Sequence, residues 1–326
     1  MFNFRSLAFA AGLFAAAGTA ASAQTYPARP ITMVVAYGAG GITDVLARLV
    51  SRLLSEETGA TVVVENRPGA GGLLGTESAA RARPDGYTVL YATGGPFVMQ
   101  PHMANDPLGY DPFEDFIHVR GGVSGAQIFV ANADAPYDDL PQLIAHARAN
   151  PGQVNFGSPG IGTAQHLATE FLMQAADIEM EHIPYKAGSA QIVDLIAGVI
   201  DVSAEYGGVI RPHVEAGKLK VLGTTGSDRR DAFFPDAMTV AEAGYPQASN
   251  FGLSWVAVPR GTPPEAVAYL SDALEKVWNR PEWQQYMAEN SQQSLGHLTG
   301  DALTAHIAGQ SENFRRTLVA AGLARP

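Results

Sequence analysis

Short apolar runs alternate with helix-like spacings along most of the chain. Many of the runs are rich in β-branched residues and are followed by glycines, then by apolar positions three or four residues apart. A continuous apolar run suits a buried strand, and the longer spacing suits a helix with one buried face. We predict strands at Ile31–Ala36, Thr61–Val64, Tyr87–Ala92, Gln127–Ala131, Val154–Gly157, Val199–Ala204, Leu219–Thr224 and Leu253–Val258. This recurrence indicates an α/β fold with parallel sheets.

The predicted helices start at residues that favour helix N-termini. The expected caps or first residues are Thr43, Asp138 or Asp139, Ser189 and the pair Pro263-Pro264. A last long helix is predicted over Asp301–Leu318. No low-complexity linker divides the chain, which favours domains joined by crossing strands.

Residues 1–23 have the three parts of a secretory signal peptide. Arg5 is followed by an apolar run from Leu7 to Ala17 and by the small residues Ala21-Ser22-Ala23. The run is shorter than the roughly 20 residues of a membrane-spanning helix. An uncleaved anchor is the alternative, and the lack of Cys excludes a lipid anchor. We expect a soluble mature protein exported to a bacterial periplasm.

Composition removes several classes of function. The 326 residues contain 21 Lys and Arg, 32 Asp and Glu and no Cys, so the net charge is −11. A nucleic-acid binder needs a basic surface, and thiolate metal sites or cysteine nucleophiles need Cys. The length suits roughly two domains.

Three glycine-containing segments share one design: a strand end, a loop and a helix start. They are YGAGGITD at residues 37–44, TGGPF at 93–97 and SPGIGTAQH at 158–166. Free N–H groups at helix starts attract anions, and ligands of open α/β sheets lie at the carboxyl ends of strands. The segments contain no Lys or Arg, so an anion would be held by amides and hydroxyls.

The sequence contains no recognisable catalytic or cofactor motif. Gly69–Gly75 lacks the spacing of a dinucleotide fingerprint, and the P-loop, zinc-protease and G-x-S-x-G patterns are absent. The eight His are scattered, and His166 is interpreted as a structural residue. We expect no enzyme activity, no cofactor and no metal.

Nine motifs carry a family resemblance. They are YPARPI (26–31), GGITD (40–44), VENRPGAGG (64–72), PDGYT (84–88), FGSPGIGT (156–163), HIPYK (182–186), Gly217–Gly223, Thr239–Pro246 and Pro259–Pro263. In this order, over nearly the whole chain after the leader, they resemble the periplasmic solute-binding receptors of tripartite tricarboxylate transporters, the Bug family.

The resemblance implies a two-lobed periplasmic binding protein of type II, with a doubly wound α/β sheet in each lobe. Lobe 1 would take residues 25–125 plus 250–326, and lobe 2 residues 126–249. A small organic acid (a dicarboxylate, an aromatic carboxylate or an amino acid) would bind between the lobes. Hinge closure would then present a monomeric receptor to membrane permease subunits.

By the same resemblance, the ligand contacts fall on Tyr37, Gly40, Gly41, Thr43, Asp44, Thr93, Gly94, Ser158, Gly162, Thr163, Lys186, Ala187 and Gly188. The chain departs from the family pattern at Gly38-Ala39 and at Ala187, which stands at a usual Gly position. Glu205 also departs from it. If Glu205 faces the cleft, it would repel a second carboxylate and accept an amino or pyridinium group; the alternative is that it pairs elsewhere or faces water.

Two other functions remain open at this point. A ligand sensor that signals to a membrane partner needs the same closing receptor, so the sequence does not separate it from a transport receptor. An exported enzyme using the same cleft would need an activated nucleophile or an acid–base pair, and the sequence shows neither.

Overall fold

The computed structural model describes residues 26–104, 106–226, 231–290 and 292–320. The predicted signal peptide, residues 1–23, lies outside these ranges. The strands are β1 Ile31–Val35, β2 Val62–Asn66, β3 Thr88–Thr93, β4 Phe116–Ala126, β5 Ile128–Asn132, β6 Asn155–Ser158, β7 Glu181–Pro184, β8 Val202–Glu205, β9 Leu219–Thr224, β10 Phe251–Pro259 and β11 Gln293–Ser294. The α-helices are α1 Ile42–Thr58, α2 Leu73–Ala80, α3 Leu140–Ala149, α4 Ala164–Ala176, α5 Gly188–Ile196, α6 Gly207–Glu215, α7 Pro264–Trp278, α8 Pro281–Glu289 and α9 Gly300–Ala320.

The strands form two mixed sheets flanked by helices. The six-stranded sheet has the order β11-β4-β10-β3-β1-β2, and the five-stranded sheet has the order β7-β6-β8-β5-β9. In the first, β1 is parallel to β2 and β3, whereas β10 is antiparallel to β3 and β4. In the second, β5 is antiparallel to β8 and β9. The α/β class is confirmed, but the sheets are mixed and not parallel as expected, because β5 and β10, which each follow a crossing from the opposite sheet, run antiparallel to their neighbours.

The chain passes between the sheets at two adjacent points. Gln127 links β4 to β5, and Asn250 precedes β10 on the return. Thr225 ties these points together: its N–H donates to the Gln127 carbonyl at 2.9 Å and its hydroxyl to the Asn250 carbonyl at 2.6 Å. The lobe boundaries at 125/126 and 249/250 stay a prediction; the first falls before the last residue of β4, and the second lies just before β10.

Two of the predicted helix caps were wrong. Asp139 caps α3 as expected, accepting the Gln142 N–H at 2.8 Å. Helix α1, however, has Gly41 at its N-cap, and α5 has Ala187, without a side-chain cap in either case. Thr43 and Ser189 are therefore the second residues of their helices. The N-cap glycine of α1 and the N-cap alanine of α5 have no polar side chain to cap the free N–H groups at the helix start.

Each sheet buries the apolar faces of its helices. In α1 the side chains of Leu46, Val50 and Leu53 are buried, as their spacing predicts. The C-terminal helix α9 reaches from one half to the other, because Phe314 packs against Phe171 of α4 with ring centroids 5.6 Å apart. Across the described ranges, no helix is both long enough and apolar enough to cross a bilayer.

Candidate functional site

A cleft lies between the two sheets, where strand ends and helix starts from both halves face one another. It holds about 720 Å³ of space not filled by atoms, including its open mouth. Seven of the predicted site residues line it: Tyr37, Gly41, Thr43, Thr93, Gly94, Gly188 and Glu205. The other seven lie beside the cleft, outside its lining: Gly40, Asp44, Ser158, Gly162, Thr163, Lys186 and Ala187.

Two helix N-termini from opposite halves meet in the cleft. The first N–H bonded within α1 is that of Val45, to the Gly41 carbonyl, so the N–H groups before it have no partner inside the helix. Helix α5 starts in the same open way at Gly188. A Cβ atom on Gly41 would lie 3.5 Å from the Gly188 nitrogen, in van der Waals contact, so the two helix starts lie close together. Uncapped helix starts with positive dipole ends suit an anion.

Asp44 holds the loop before α1 in shape. Its carboxylate accepts from the Gly40 N–H at 2.9 Å, the Asn66 amide at 2.8 Å and the Arg48 guanidinium at 2.9 Å. Burial works against the charge, but the hydrogen bonds from Arg48, Gly40 and Asn66 outweigh it and hold the pKa of Asp44 below its usual value. The left-handed backbone of Gly40, with φ +83°, is part of this arrangement. Asp44 therefore orients the anion-binding loop without lining the cleft.

The Tyr37 ring forms an aromatic wall of the cleft. Its hydroxyl donates to the Gly71 carbonyl at 3.2 Å and lies 3.2 Å from Thr93 Oγ1. Burial raises the pKa of Tyr37 to about 12, so the phenol is neutral and fixed as a hydrogen-bond donor. Tyr37 also borders a second, more open pocket, which is lined in part by Gln100, Ile161 and Lys186.

The loop before α4 uses its hydroxyls internally. Thr163 caps α4 by accepting the His166 N–H at 3.3 Å, and it donates to the Gly160 carbonyl at 2.8 Å. Ser158 is fully buried, and its Oγ lies 2.7 Å from His182 Nε2, within hydrogen-bond distance. His166 Nδ1 accepts the Gly162 N–H at 3.3 Å, which fits its interpretation as a structural residue. These side chains shape the cleft wall from behind.

The rim of the cleft joins the two halves directly. The Gly38 N–H donates to the Lys186 carbonyl at 3.2 Å, and the Ser189 hydroxyl donates to the Ala39 carbonyl at 2.8 Å. A Cβ on Gly38 would lie only 2.5 Å from the Cβ of Ala187. The two departures from the family pattern therefore compensate each other, since the missing side chain at 38 makes room for the extra methyl at 187.

Glu205 faces the cleft and is only 1% exposed. Its Oε1 accepts from the Gln191 amide at 2.9 Å, and its Oε2 accepts the Tyr206 N–H at 3.3 Å. Burial raises the pKa of Glu205 to about 7, which hydrogen bonds from Tyr206, Gln165 and Gln191 only partly offset. Exposure of Glu205 to water does not fit this burial, and among the described residues its hydrogen-bond partners are neutral donors rather than a cation.

Sequence reasoning missed the part of the lining that comes from distant strands. Tyr91, Tyr206, Gly252, Ser254 and Gln165 all border the cleft. The Tyr206 hydroxyl accepts from the Gln127 amide at 2.9 Å, and a Cβ on Gly252 would collide with that hydroxyl. Gln165 lies within the predicted segment 158–166 and Tyr206 follows Glu205, so the sequence gave a signal for these two; Gly252 and Ser254 of β10 are placed here by the return of the chain.

The lining has an unusual charge balance. Of the described residues that line the cleft, Glu205 is the single charged one, and none is Lys, Arg or His. Nor do the described ranges bring together three or more His, Asp or Glu side chains that could hold a metal ion. The site can therefore bind an anion through main-chain dipoles and offers one acid for a second ligand group.

Comparison with known proteins finds a matching family model and similar curated proteins. The model of the tripartite tricarboxylate transporter family receptor, TctC, matches residues 46–318. The protein BugT of Bordetella pertussis is 37% identical over 278 residues, which cover 84% of this chain and 85% of BugT.

Solved structures agree with this match. The periplasmic binding protein BugD superposes with a TM-score of 0.87 at 30% identity, covering 92% of this chain and all of BugD. An R. palustris protein solved with adipate superposes with a TM-score of 0.86 at 28% identity, covering 92% of this chain and 99% of the other. Both alignments span the two sheets and the cleft between them.

Proposed function

The chain belongs to the tripartite tricarboxylate transporter receptor family and is a solute-binding receptor of it; on this premise we propose that it captures a small carboxylate and delivers it to a tripartite permease. The observation that carries the proposal is the meeting of two open helix starts, at Gly41 and Gly188, in a cleft without basic side chains. Main-chain N–H groups there are suited to a carboxylate.

The relative solved with adipate supports the ligand class, because a carboxylate occupies a protein of the same family and architecture. We propose that the contacting residues are the predicted ones on the lining, and that Asp44, Ser158 and Thr163 position them. Closure would occur about Gln127 and Asn250, where the chain crosses between the sheets. The exported, periplasmic location and the cleaved leader belong to the same proposal.

A binding panel tests the ligand class. Thermal unfolding should be measured with small mono- and dicarboxylates and with the corresponding neutral amides as matched controls. A ligand that binds only the folded protein raises the melting temperature, so we expect at least one carboxylate to raise it and its amide to leave it unchanged. Equal effects of acid and amide would contradict carboxylate recognition.

Two further measurements test the receptor role. NMR of the bound carboxylate after long incubation should show the unchanged compound, and a product would indicate an enzyme. Uptake of the labelled compound into vesicles containing the tripartite permease of the same organism should require the receptor. Uptake at the same rate without it would contradict delivery to that permease.

A further inference from the structure

Glu205 is a carboxylate in a place that is costly for one. It is the last residue of β8, it is 1% exposed, and it stands alone in charge among the described residues that line the cleft. Burying an ionised carboxylate is unfavourable unless a cation or several donors compensate it. Burial of this carboxylate therefore costs stability in a site whose other lining residues are neutral.

The partners of Glu205 are all neutral. They are the Gln191 amide, the Tyr206 N–H and the Gln165 side chain. The side-chain oxygen of Gln191, which lies behind the cleft lining, is buried and accepts no hydrogen bond within the described structure. On the lining itself, the Glu205 carboxylate is therefore the acceptor that a positively charged donor would satisfy.

Glu205 lies close to the helix starts that would hold a carboxylate. A methyl group built on Gly188 would lie 3.5 Å from Glu205 Oε1 and 3.6 Å from Gly41 Cα. A small molecule that places its carboxylate at the start of α1 or α5 would therefore bring its neighbouring group to Glu205. The geometry therefore fits a ligand whose carboxylate and positively charged group are separated by a few bonds, with the carboxylate at a helix start and the positive group at Glu205.

We propose that Glu205 is a specificity residue, which selects carboxylates that also carry a protonated amino group and rejects dicarboxylates. The selection rests on the proposed carboxylate-binding function of the same cleft. An ammonium group would neutralise Glu205 and donate to its oxygens, whereas a second carboxylate would face a like charge without an intervening cation. The ligand class is then an amino acid or a similar zwitterion.

A protonated Glu205 is the competing explanation, since it could donate its hydrogen to a second carboxylate. Because burial raises the pKa of Glu205 to about 7, both protonation states exist near neutral pH. The two explanations differ in proton balance: a zwitterion releases protons from Glu205 on binding, and a dicarboxylate takes protons up. Calorimetry in two buffers of different ionisation enthalpy measures this directly.

The experiment compares neutral L-amino acids with their deaminated counterparts, such as alanine with propionate and valine with 3-methylbutanoate, and with the dicarboxylates succinate and glutarate, by titration calorimetry. We expect one amino acid to bind wild type about 30-fold or more tightly than its deaminated counterpart, with proton release. In Glu205→Gln this preference should fall below about tenfold, and Glu205→Asp should lie between the two. Glu181→Gln, which changes an exposed carboxylate on β7 of the same sheet, is the matched control and should keep the full preference.

The possible outcomes distinguish a failure of the role proposed for Glu205 from a failure of the proposed carboxylate-binding function. Tighter binding of a dicarboxylate than of any amino acid, with proton uptake, would overturn the role of Glu205 while leaving carboxylate capture intact. An amino-acid preference that Glu205→Gln leaves unchanged would do the same. Failure of every acid to bind, with or without an amino group, would instead refute the proposed function. Melting temperatures of the variants show that each is folded.

Discussion

Asp44 and Glu205 are two buried acids on opposite sides of one cleft, and their surroundings make them opposites. Asp44 is held by Arg48, Asn66 and the Gly40 N–H, which keep its pKa below the usual value despite burial. Glu205 has only neutral partners, and burial raises its pKa to about 7. The same functional group is thus fixed as an anion on one side and left able to gain or lose a proton on the other.

The difference teaches which acid is structural and which is available to a ligand. Asp44 lies outside the cleft lining and its hydrogen-bonding capacity is filled by the protein. Glu205 lies on the lining, and no cation of the described structure pairs with it. A buried charge without a cation is retained against a cost in stability, which is the pattern expected of a group kept for binding.

The largest expected effect is on the structural acid. Replacing Asp44→Ala should lower the free energy of unfolding by about 4 kcal/mol, because the Gly40 N–H, the Asn66 amide and the Arg48 guanidinium all lose the buried carboxylate that they share. Chemical denaturation measures this loss. Asp272→Asn, which alters an exposed carboxylate on α7, should change stability by less than about 0.5 kcal/mol. Equal losses in the two variants would remove the structural role of Asp44.

The second prediction concerns pH and Glu205. Its pKa is about 7 in the folded protein and about 4.3 in an unfolded chain, so the folded state binds more protons between these values. Stability from this group is therefore fully present below about pH 4 and falls by roughly 3 kcal/mol as pH rises through 7. The phenols of Tyr206 and Tyr37 face the same region and stay neutral, because burial raises the pKa of each.

The measurement is denaturation of wild type and Glu205→Gln from pH 5 to pH 8. Wild type should lose stability relative to the variant as the pH rises, since Gln cannot ionise. Glu181→Gln should follow wild type at every pH. A stability difference between wild type and Glu205→Gln that does not vary with pH would show that Glu205 has an ordinary pKa.

The third prediction tests whether the halves must touch at the rim. Gly38→Ala should weaken ligand binding about tenfold, because the new methyl would press against Ala187 and hold the halves apart. The double variant Gly38→Ala with Ala187→Gly should regain most of the affinity. Calorimetry measures binding, and small-angle scattering measures compaction on adding ligand. A double variant as weak as Gly38→Ala would argue against this contact.

The smallest expected effects separate two threonines. Thr43 lines the cleft and caps no helix, so Thr43→Ala should weaken binding about fivefold and leave stability unchanged. Thr163 caps α4 behind the cleft, so Thr163→Ala should lower the free energy of unfolding by about 1 kcal/mol with a smaller change in affinity. Calorimetry measures the affinity of both variants, and denaturation measures their stability. A loss of stability in Thr43→Ala together with a larger loss of affinity in Thr163→Ala would contradict these assignments.

The sequence predicted the elements whose pattern is local. The apolar spacing of α1, the strand of β9 and the Asp139 cap of α3 follow from neighbouring residues, and the structure confirms them. Local signals failed for β4 at Phe116–Ala126, where a run with three glycines forms the longest described strand. Its stability comes from β10 and β11 on either side, which lie far along the chain.

For the site, the sequence determined the glycine loops and the absence of basic residues within them, whereas the uncapped starts of α1 and α5 were seen only in the structure. Only the tertiary structure decided which side chains face the ligand space: it turned Thr163 inward as a cap, engaged Asp44 with Arg48 and Asn66, and left Glu205 on the lining. The physical reason is that helix and turn preferences act over a few residues, whereas burial and charge compensation depend on segments brought together by the two chain crossings.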